Sequence, residues 1–419
     1  MGLLELVRAE AREAARAIPS LSDEAVAEAL VAAGTLVRER SALLLEANRA
    51  DVDAARGRLD EGMLDRLALD ERRIEGLAEQ VQVMADLPPL ERQPARWALP
   101  NGLSVAERRI PIGTVGANFE ARPNVALDIA GQLLKSLNAA ILRTGGAALR
   151  TVSVLVDEVL RPALERAGLP TGAVGLVRSA DREGARVLVS LPHDIPLVIL
   201  RGSGETTAEL ARLAAEHGVR TLAHAEGGGV LYVHGSADRL KALGIAESSL
   251  DRLGVCNRLN LLLVDREAIA LLPDFVSLFW ELGLDARGTE RAREHAELNP
   301  LDERIGHEWA NDAWRVATVT VDVVGDLGEA VAIANSETSG LAAGIAAEDE
   351  RAAAAFLDSY RGTTAFWNAT TRFTDGYALT GAPETGINVD WTPGPRGPVT
   401  YRDLWLRQYR VTGDGSQRR

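Results

Sequence analysis

The chain has 419 residues and a formal net charge of −14, with 46% hydrophobic, 25% charged and 4% aromatic residues. That length accommodates two or three domains with an ample core. The acidic balance argues against nucleic acid as the main partner, and no apolar run approaches the roughly 20 residues that span a bilayer. One cysteine excludes an intrachain disulfide and any Cys-rich metal site, so no metal is expected. Charges break the N-terminal stretch MGLLELVRAEAREAAR, which therefore lacks a signal-like core, and a cytoplasmic location is expected.

The first hundred residues read as helical. Ser22 suits an N-cap, with Asp23 and Glu24 in the first turn and Val26, Leu30, Ala33 and Val37 at helical spacing. A second helix starts near Asp70 and ends before Pro88-Pro89. Asn101-Gly102 marks a hairpin. From Arg109 the chain alternates: a strand in IPIGTVGANF, a helix over 128–137, the strand AAILR, a helix over 153–167, a strand over 195–200 and a helix over 207–216. Further strands follow at 230–233, 261–264, 316–324 and 404–411, with helices in the gaps up to 324. Such alternation implies α/β architecture with mostly parallel sheets.

Cys256 lies in RLGVCNRLNLLLV, a glycine-bearing turn that leads into an apolar strand. A lone cysteine is commonly a small buried hydrophobe. On a turn beside Asn257, with backbone N–H groups at hand, it equally fits a thiolate nucleophile with oxyanion donors. Gly202-Ser203-Gly204 follows a strand and precedes a helix, an arrangement that holds an anion or is simply a turn. Gly113 and Gly116 do not form a G-x-G-x-x-G fingerprint. Glu226 reads as a surface carboxylate, with a water-activating base as the alternative.

Several segments together carry a family likeness: ANRADVDAAR at 47–56, DRLALDERRI at 65–74, PIGTVGANFEARPNVALD at 111–128, LKSLNAAILR at 134–143, GVCN at 254–257 and NATTRFTDG at 368–376. Through them the chain resembles the gamma-glutamyl phosphate reductase family of the aldehyde dehydrogenase superfamily. The resemblance implies an aldehyde dehydrogenase-like fold of two Rossmann-like α/β domains with a helical N-terminus and a β-flap for oligomerisation. The cofactor-binding domain would take 1–100 and 113–227, with 370–395 returning to it. A catalytic domain would take 228–369, and the flap 101–112 and 396–419.

The implied chemistry is NADPH-dependent reduction of gamma-glutamyl phosphate, or a related acyl phosphate, to a semialdehyde through a Cys256 thioester. Asn124 and Asn257 are the expected catalytic partners, Asn124 having a helix-cap role as its alternative. Arg122, Arg372, Thr371 and Glu384 are expected at the substrate; arginine suits a bidentate anion. Lys135, Arg143, Gly202, Ser203 and Gly204 are expected at NADPH/NADP, although Lys135 equally suits a helix-end charge. An acyl (glutamate 5-) kinase is an implied partner, and a homodimer or homotetramer the implied assembly.

The sequence also departs from the family. The family's H-x-x-G-x-C-H-x-Y-x-D reads HAEGGGVLYVH from His224, and its S-G-H-T reads Ser339-Gly340-Leu341-Ala342. These losses leave open a paralogue that acts on another acyl phosphate, a dehydrogenase that oxidises a free aldehyde to an acid with Glu226 as base, or a non-catalytic partner of an acyl kinase.

Overall fold

The structure, a computed structural model, describes residues 2–59, 61–202, 204–224, 226–312, 314–390 and 394–417. Ser203 lies outside them. Two compact units divide the chain: one of Met1–Ala223, Ala382–Gly386 and Val399–Arg419, the other of His224–Gly381 and Ile387–Pro398.

The first unit opens with helices. Ser22 Oγ accepts from the Ala25 N–H at 3.2 Å to start helix Asp23–Glu39, and Asp70 accepts from the Arg73 N–H at 2.7 Å to start helix Glu71–Asp86. Val26, Leu30, Ala33 and Val37 are buried on the first of these, as their spacing requires. The ANRADVDAAR segment is structural. Asn48 donates to Leu67 O at 2.9 Å and accepts from Leu69 N at 2.7 Å, while Asp51 accepts from the Thr151 N–H and hydroxyl, each at 2.8 Å.

Strands Ala95–Ala98 (β1) and Ser104–Pro111 (β2) form the expected hairpin, with Gly102 at φ +87°, and β2 also pairs antiparallel with the C-terminal strand Trp405–Thr412. Thr114–Phe119 (β3), Ala139–Thr144 (β4), Val174–Leu176 (β5), Leu197–Arg201 (β6) and Arg220–His224 (β7) make a five-stranded sheet of order β5-β4-β3-β6-β7. β3 pairs in parallel with both β4 and β6. The chain thus leaves β3 on one side and later returns on the other, which makes the β3/β6 boundary the topological switch point.

Between β3 and β4 the helix spans Asn124–Lys135, four residues earlier than its sequence pattern indicates. Every residue from Val125 to Lys135 is buried, so no amphipathic stripe marks the start, and Pro123 at φ −58° leads directly into helical backbone. The helix expected over 153–167 is instead continuous from Leu149 to Arg166, with a π-helical turn at Leu155–Leu160.

The second unit is built on Gly229–Val233 (β8), Leu259–Asp265 (β9), Asp285–Gly288 (β10), Asn299–Pro300 (β11), Thr318–Val324 (β12), Ala342–Ala346 (β13) and Thr364–Trp367 (β14). All pair in parallel, in the order β11-β10-β12-β9-β8-β13-β14. Central strands β8, β9, β12 and β13 are buried throughout, as covered parallel strands are.

Residues 370–395 do not return as a block to the first unit. Only Ala382–Gly386 do so, because Thr371, Arg372 and Thr374 are hydrogen-bonded to Asn257 within the second. The hairpin and the C-terminal strand cluster with the first unit rather than apart from it.

Candidate active site

Cys256 stands on the loop between helix Arg239–Ser248 and β9, at the amino-terminal edge of the parallel sheet. It is half-buried against Leu341, Ala342, Phe366 and Ile387, and is not in a disulfide. The triple glycine that leads into β8 runs directly past it. Gly228 N–H donates to Cys256 O at 2.6 Å, and Gly229 N–H donates to Arg258 O at 2.7 Å. A Cβ on Gly227 would stand 2.5 Å from Cys256 Cβ, and one on Gly229 would strike the Thr371 hydroxyl. Gly228 has φ +106°. The loop carrying the thiol approaches so closely that only glycine fits opposite it.

The loop is fastened from the other side by the NATTRFTDG segment. Asn257 Nδ2 donates to Arg372 O and Thr374 O, each at 3.0 Å, its Oδ1 accepts from the Arg372 guanidinium, and Thr371 donates to Asn257 O at 2.8 Å. Arg372 also pairs with Asp251 at 2.6 Å. The expectation of Asn257 as an oxyanion donor is therefore corrected, because both of its amide hydrogens are committed to backbone carbonyls. Thr371 likewise holds the loop rather than presenting its hydroxyl to a ligand. Asn368, at φ +50°, turns the chain into this segment and exchanges hydrogen bonds with Ala347 at 2.9 and 3.0 Å.

Glu308 is a residue the sequence reading missed. Its side chain is buried and its Oε2 accepts from Asn311 at 2.9 Å. The same point that lies 2.5 Å from Cys256 Cβ lies 2.5 Å from Glu308 Oε1, so the two atoms are no more than 5.0 Å apart. Burial pushes the carboxyl up to about 7. The neighbouring Gly227 N–H, the Asn311 amide and Arg258 pull it down, and Glu226 pushes it further up. The proximity is tertiary, across 52 positions of sequence, and no local spacing signals it. Glu226 itself is half-exposed and paired with Arg304.

In the first unit the carboxyl ends of β3 and β6 gather a second set of residues. Ala121 is held at φ +43° in the ARPNV turn, between Glu120 and the partly exposed Arg122. Asn124 begins the next helix and donates to Asp128 Oδ2 at 3.3 Å. Asp128 is buried, with Oδ1 unpartnered among the described residues; burial pushes it up to about 7, Arg201 and the Asn124 amide draw it down, and Glu384 adds to the rise. Asn124, Asp128, Arg201 and Glu384 are thus one electrostatic group.

Gly202 follows β6, and a Cβ there would meet the Glu120 carboxyl at 3.3 Å; Gly204 begins helix Gly204–His217. Thr144, at the carboxyl end of β4, has a buried hydroxyl without a partner among the described residues. A dinucleotide fits these features: a glycine-lined crevice at a switch point, a long helix whose N-terminus faces it, and an unmet hydroxyl.

Two expected cofactor residues are engaged elsewhere. Lys135 ends its helix at the opposite edge of the sheet, where it is buried and donates to Ala85 O at 3.2 Å and to Leu87 O. Arg143 is buried, donating to Asn118 Oδ1 at 3.0 Å and to Asp181 O, and burial lowers its pKa. Reach to a ribose or phosphate is corrected for Lys135, whose ammonium closes the end of helix Glu71–Asp86.

Fold and thiol together define an oxidoreductase of the aldehyde dehydrogenase class, and the aldehyde dehydrogenase family model matches residues 5–281. A gamma-glutamyl phosphate reductase of Erythrobacter litoralis is 36% identical over 418 residues, covering 97% of this chain and 96% of its own. One from Caulobacter vibrioides is 34% identical over 413 residues, covering 97% and 98%. The crystal structure of a gamma-glutamyl phosphate reductase from Thermotoga maritima superposes with a TM-score of 0.93 at 29% identity over 100% of both chains. A propionaldehyde dehydrogenase from Clostridium phytofermentans shares the fold at TM-score 0.68 and 15% identity, over 98% and 97%. The chain belongs to the gamma-glutamyl phosphate reductase family.

Proposed function

We propose that this protein reduces gamma-glutamyl phosphate to the semialdehyde and inorganic phosphate, with Cys256 as the nucleophile. The observation that carries the reading is the Cys256 loop, pressed against three glycines and fastened by Asn257, Thr371 and Arg372. Holding a thiol in one place is what attack on an acyl carbon requires. The sulfur adds to the acyl carbon, the C–O bond to phosphate breaks, and a thioester remains on Cys256. Phosphate is a good leaving group and a thioester accepts hydride more readily than a carboxylate does.

NADPH is the cofactor of this reading. Gly202, Gly204, Glu120 and Thr144 would hold it at the β3/β6 crevice, and hydride for the thioester carbon is the chemistry it supplies when bound. Arg122 and Arg201 offer cations to an anionic substrate, and the Asn124 amide, oriented by Asp128, offers a donor to an oxyanion.

The test is turnover of glutamate semialdehyde with NADP in the presence and absence of phosphate, beside the Cys256→Ser variant. Phosphate-dependent NADPH formation that Cys256→Ser abolishes is the expected result. Turnover without phosphate would favour aldehyde oxidation, and no turnover except with another acyl phosphate would favour a paralogue.

A further inference from the structure

A fully buried arginine stands two residues beyond Cys256. Arg258 has no solvent exposure, although the loop it closes reaches the surface at Asp251 and Arg252. Its guanidinium ties β9 to the entry of β12: Nε donates to Leu259 O at 3.0 Å, and the two terminal nitrogens donate to Val316 O and Thr318 O. Those carbonyls satisfy hydrogen bonds but bring no net charge, and among the described residues Arg258 makes no ion pair. Burial brings its pKa down only to about 10, so the cation persists at neutral pH. A buried cation without a counter-charge is costly to maintain.

The other charges that face the thiol loop are paired, exposed or neutral. Arg372 is held by Asn257 and paired with Asp251 at 2.6 Å. Arg304 and Glu226 pair with each other, each about half-exposed, and Arg252 is exposed. Asp390, beyond Val389, faces Arg396. Glu308 faces both thiol and guanidinium: its Oε1 is no more than 5.0 Å from Cys256 Cβ, and Arg258 acts on it electrostatically. Burial raises that carboxyl to about 7, so below neutrality it gives Arg258 little counter-charge. The Cα atoms of residues 256 and 258 can be at most about 7 Å apart, which makes Cys256 the ionisable neighbour able to supply the missing anion.

We propose that Arg258 is a positioning residue for charge, holding Cys256 as the thiolate that attacks the acyl carbon. The inference rests on the reading of Cys256 as nucleophile. The thiol proton passes to solvent before attack, the S–C bond forms as the C–O bond to phosphate breaks, and phosphate leaves as its anion. No electron changes hands and no proton carrier is required. Only the thiolate is nucleophilic. At an effective dielectric of about 20, a unit cation about 10 Å away lowers a thiol's midpoint by about one pH unit.

Alkylation by iodoacetamide, followed by mass spectrometry from about pH 5.5 to 9.5, tests this without substrate, because the chain has one cysteine. The native midpoint should lie at about 7.5, below the value of about 8.5 for a free thiol. Arg258→Met, apolar and of similar length, should return it to about 8.5 and slow alkylation at about pH 7 by about three- to eightfold. Asn257→Ala loosens the same loop without removing the buried charge, and should leave the midpoint near the native one. Should Arg258→Met fail to fold, salt gives the same answer on the native protein. Between about 0.05 and 1 M sodium chloride its midpoint should move by less than about 0.2, since a buried charge is little screened. A midpoint that climbs to about 8.5 in salt assigns the effect to exposed cations and overturns the proposal. A native midpoint of about 8.5 or above, an Arg258→Met midpoint equal to the native one, or an equal rise in Asn257→Ala does the same. Failure of the substrate reading shows separately, as absence of semialdehyde turnover with the low midpoint intact.

Discussion

The carboxamide of Asn257 serves two carbonyls and one guanidinium, so its truncation should be read as a loss of loop anchorage. Asn257→Ala leaves Arg372 O and Thr374 O without donors, and we expect it to cost about 2–4 kcal/mol in urea unfolding. Cys256→Ser should leave that midpoint close to native while abolishing turnover. Asp128 gives the opposite sign. Its folded pKa of about 7 lies above the ordinary 3.8, so protonation favours the folded state, fully at low pH, and that stability is lost as pH rises through 7. Asp128→Asn removes the penalty. Its thermal midpoint relative to native should therefore be higher at about pH 8 than at about pH 5, with a ceiling of about 4 kcal/mol. Equal differences at both pH values would show that the carboxylate is ionised throughout. The sequence marks Asp128 only as a member of a motif, since its burial follows from how helix Asn124–Lys135 packs.

Elements with local signals were legible, and those made by long-range approach were not. Ser22 and Asp70 announce their helices because a cap acts within three residues. The buried strands β8 and β9 announce themselves by the apolar runs VLYV and LLLV. Nothing local indicates that GGG at 227–229 must be glycine, because the reason is a loop nearly 30 residues further on. Gly227→Ala sets a Cβ 2.5 Å from Cys256 Cβ and Glu308 Oε1, and we expect a loss of at least about 100-fold in kcat with destabilisation of about 1–3 kcal/mol. Gly76 is the contrast. It is exposed within helix Glu71–Asp86 and a Cβ there meets nothing within 4 Å, so Gly76→Ala should stabilise by about 0.5–1 kcal/mol with activity unchanged. The pair separates a glycine kept for approach from one that only raises chain entropy.

At the scale of the whole molecule the three-stranded sheet raises the question of assembly. β2 lies between β1 and the C-terminal strand, so among the described residues Trp405–Thr412 forms an open edge eight residues long. Leu406, Tyr409 and Val411 on that strand are half-exposed, and Trp97 of β1 meets Tyr409 edge-on at 6.0 Å. A long apolar edge of this kind is a template for pairing with another strand, and natural sheets ordinarily blunt it with charge, proline or a bulge. Here arginines at 407 and 410 interrupt the apolar positions without covering them. Arg407 lies opposite Arg109, and Arg109 sits 4.8 Å over the Trp405 ring, so the edge carries cations whose partners lie partly within its own sheet. The edge is therefore attractive to a second copy, and closed symmetry would bury it in two copies at once. We expect light scattering to return a dimer or tetramer, and Tyr409→Glu with Val411→Glu to return a monomer whose circular dichroism is unchanged. A native monomer would mean that the edge is tolerated in water, and an intact oligomer in the double variant would move the interface to another face.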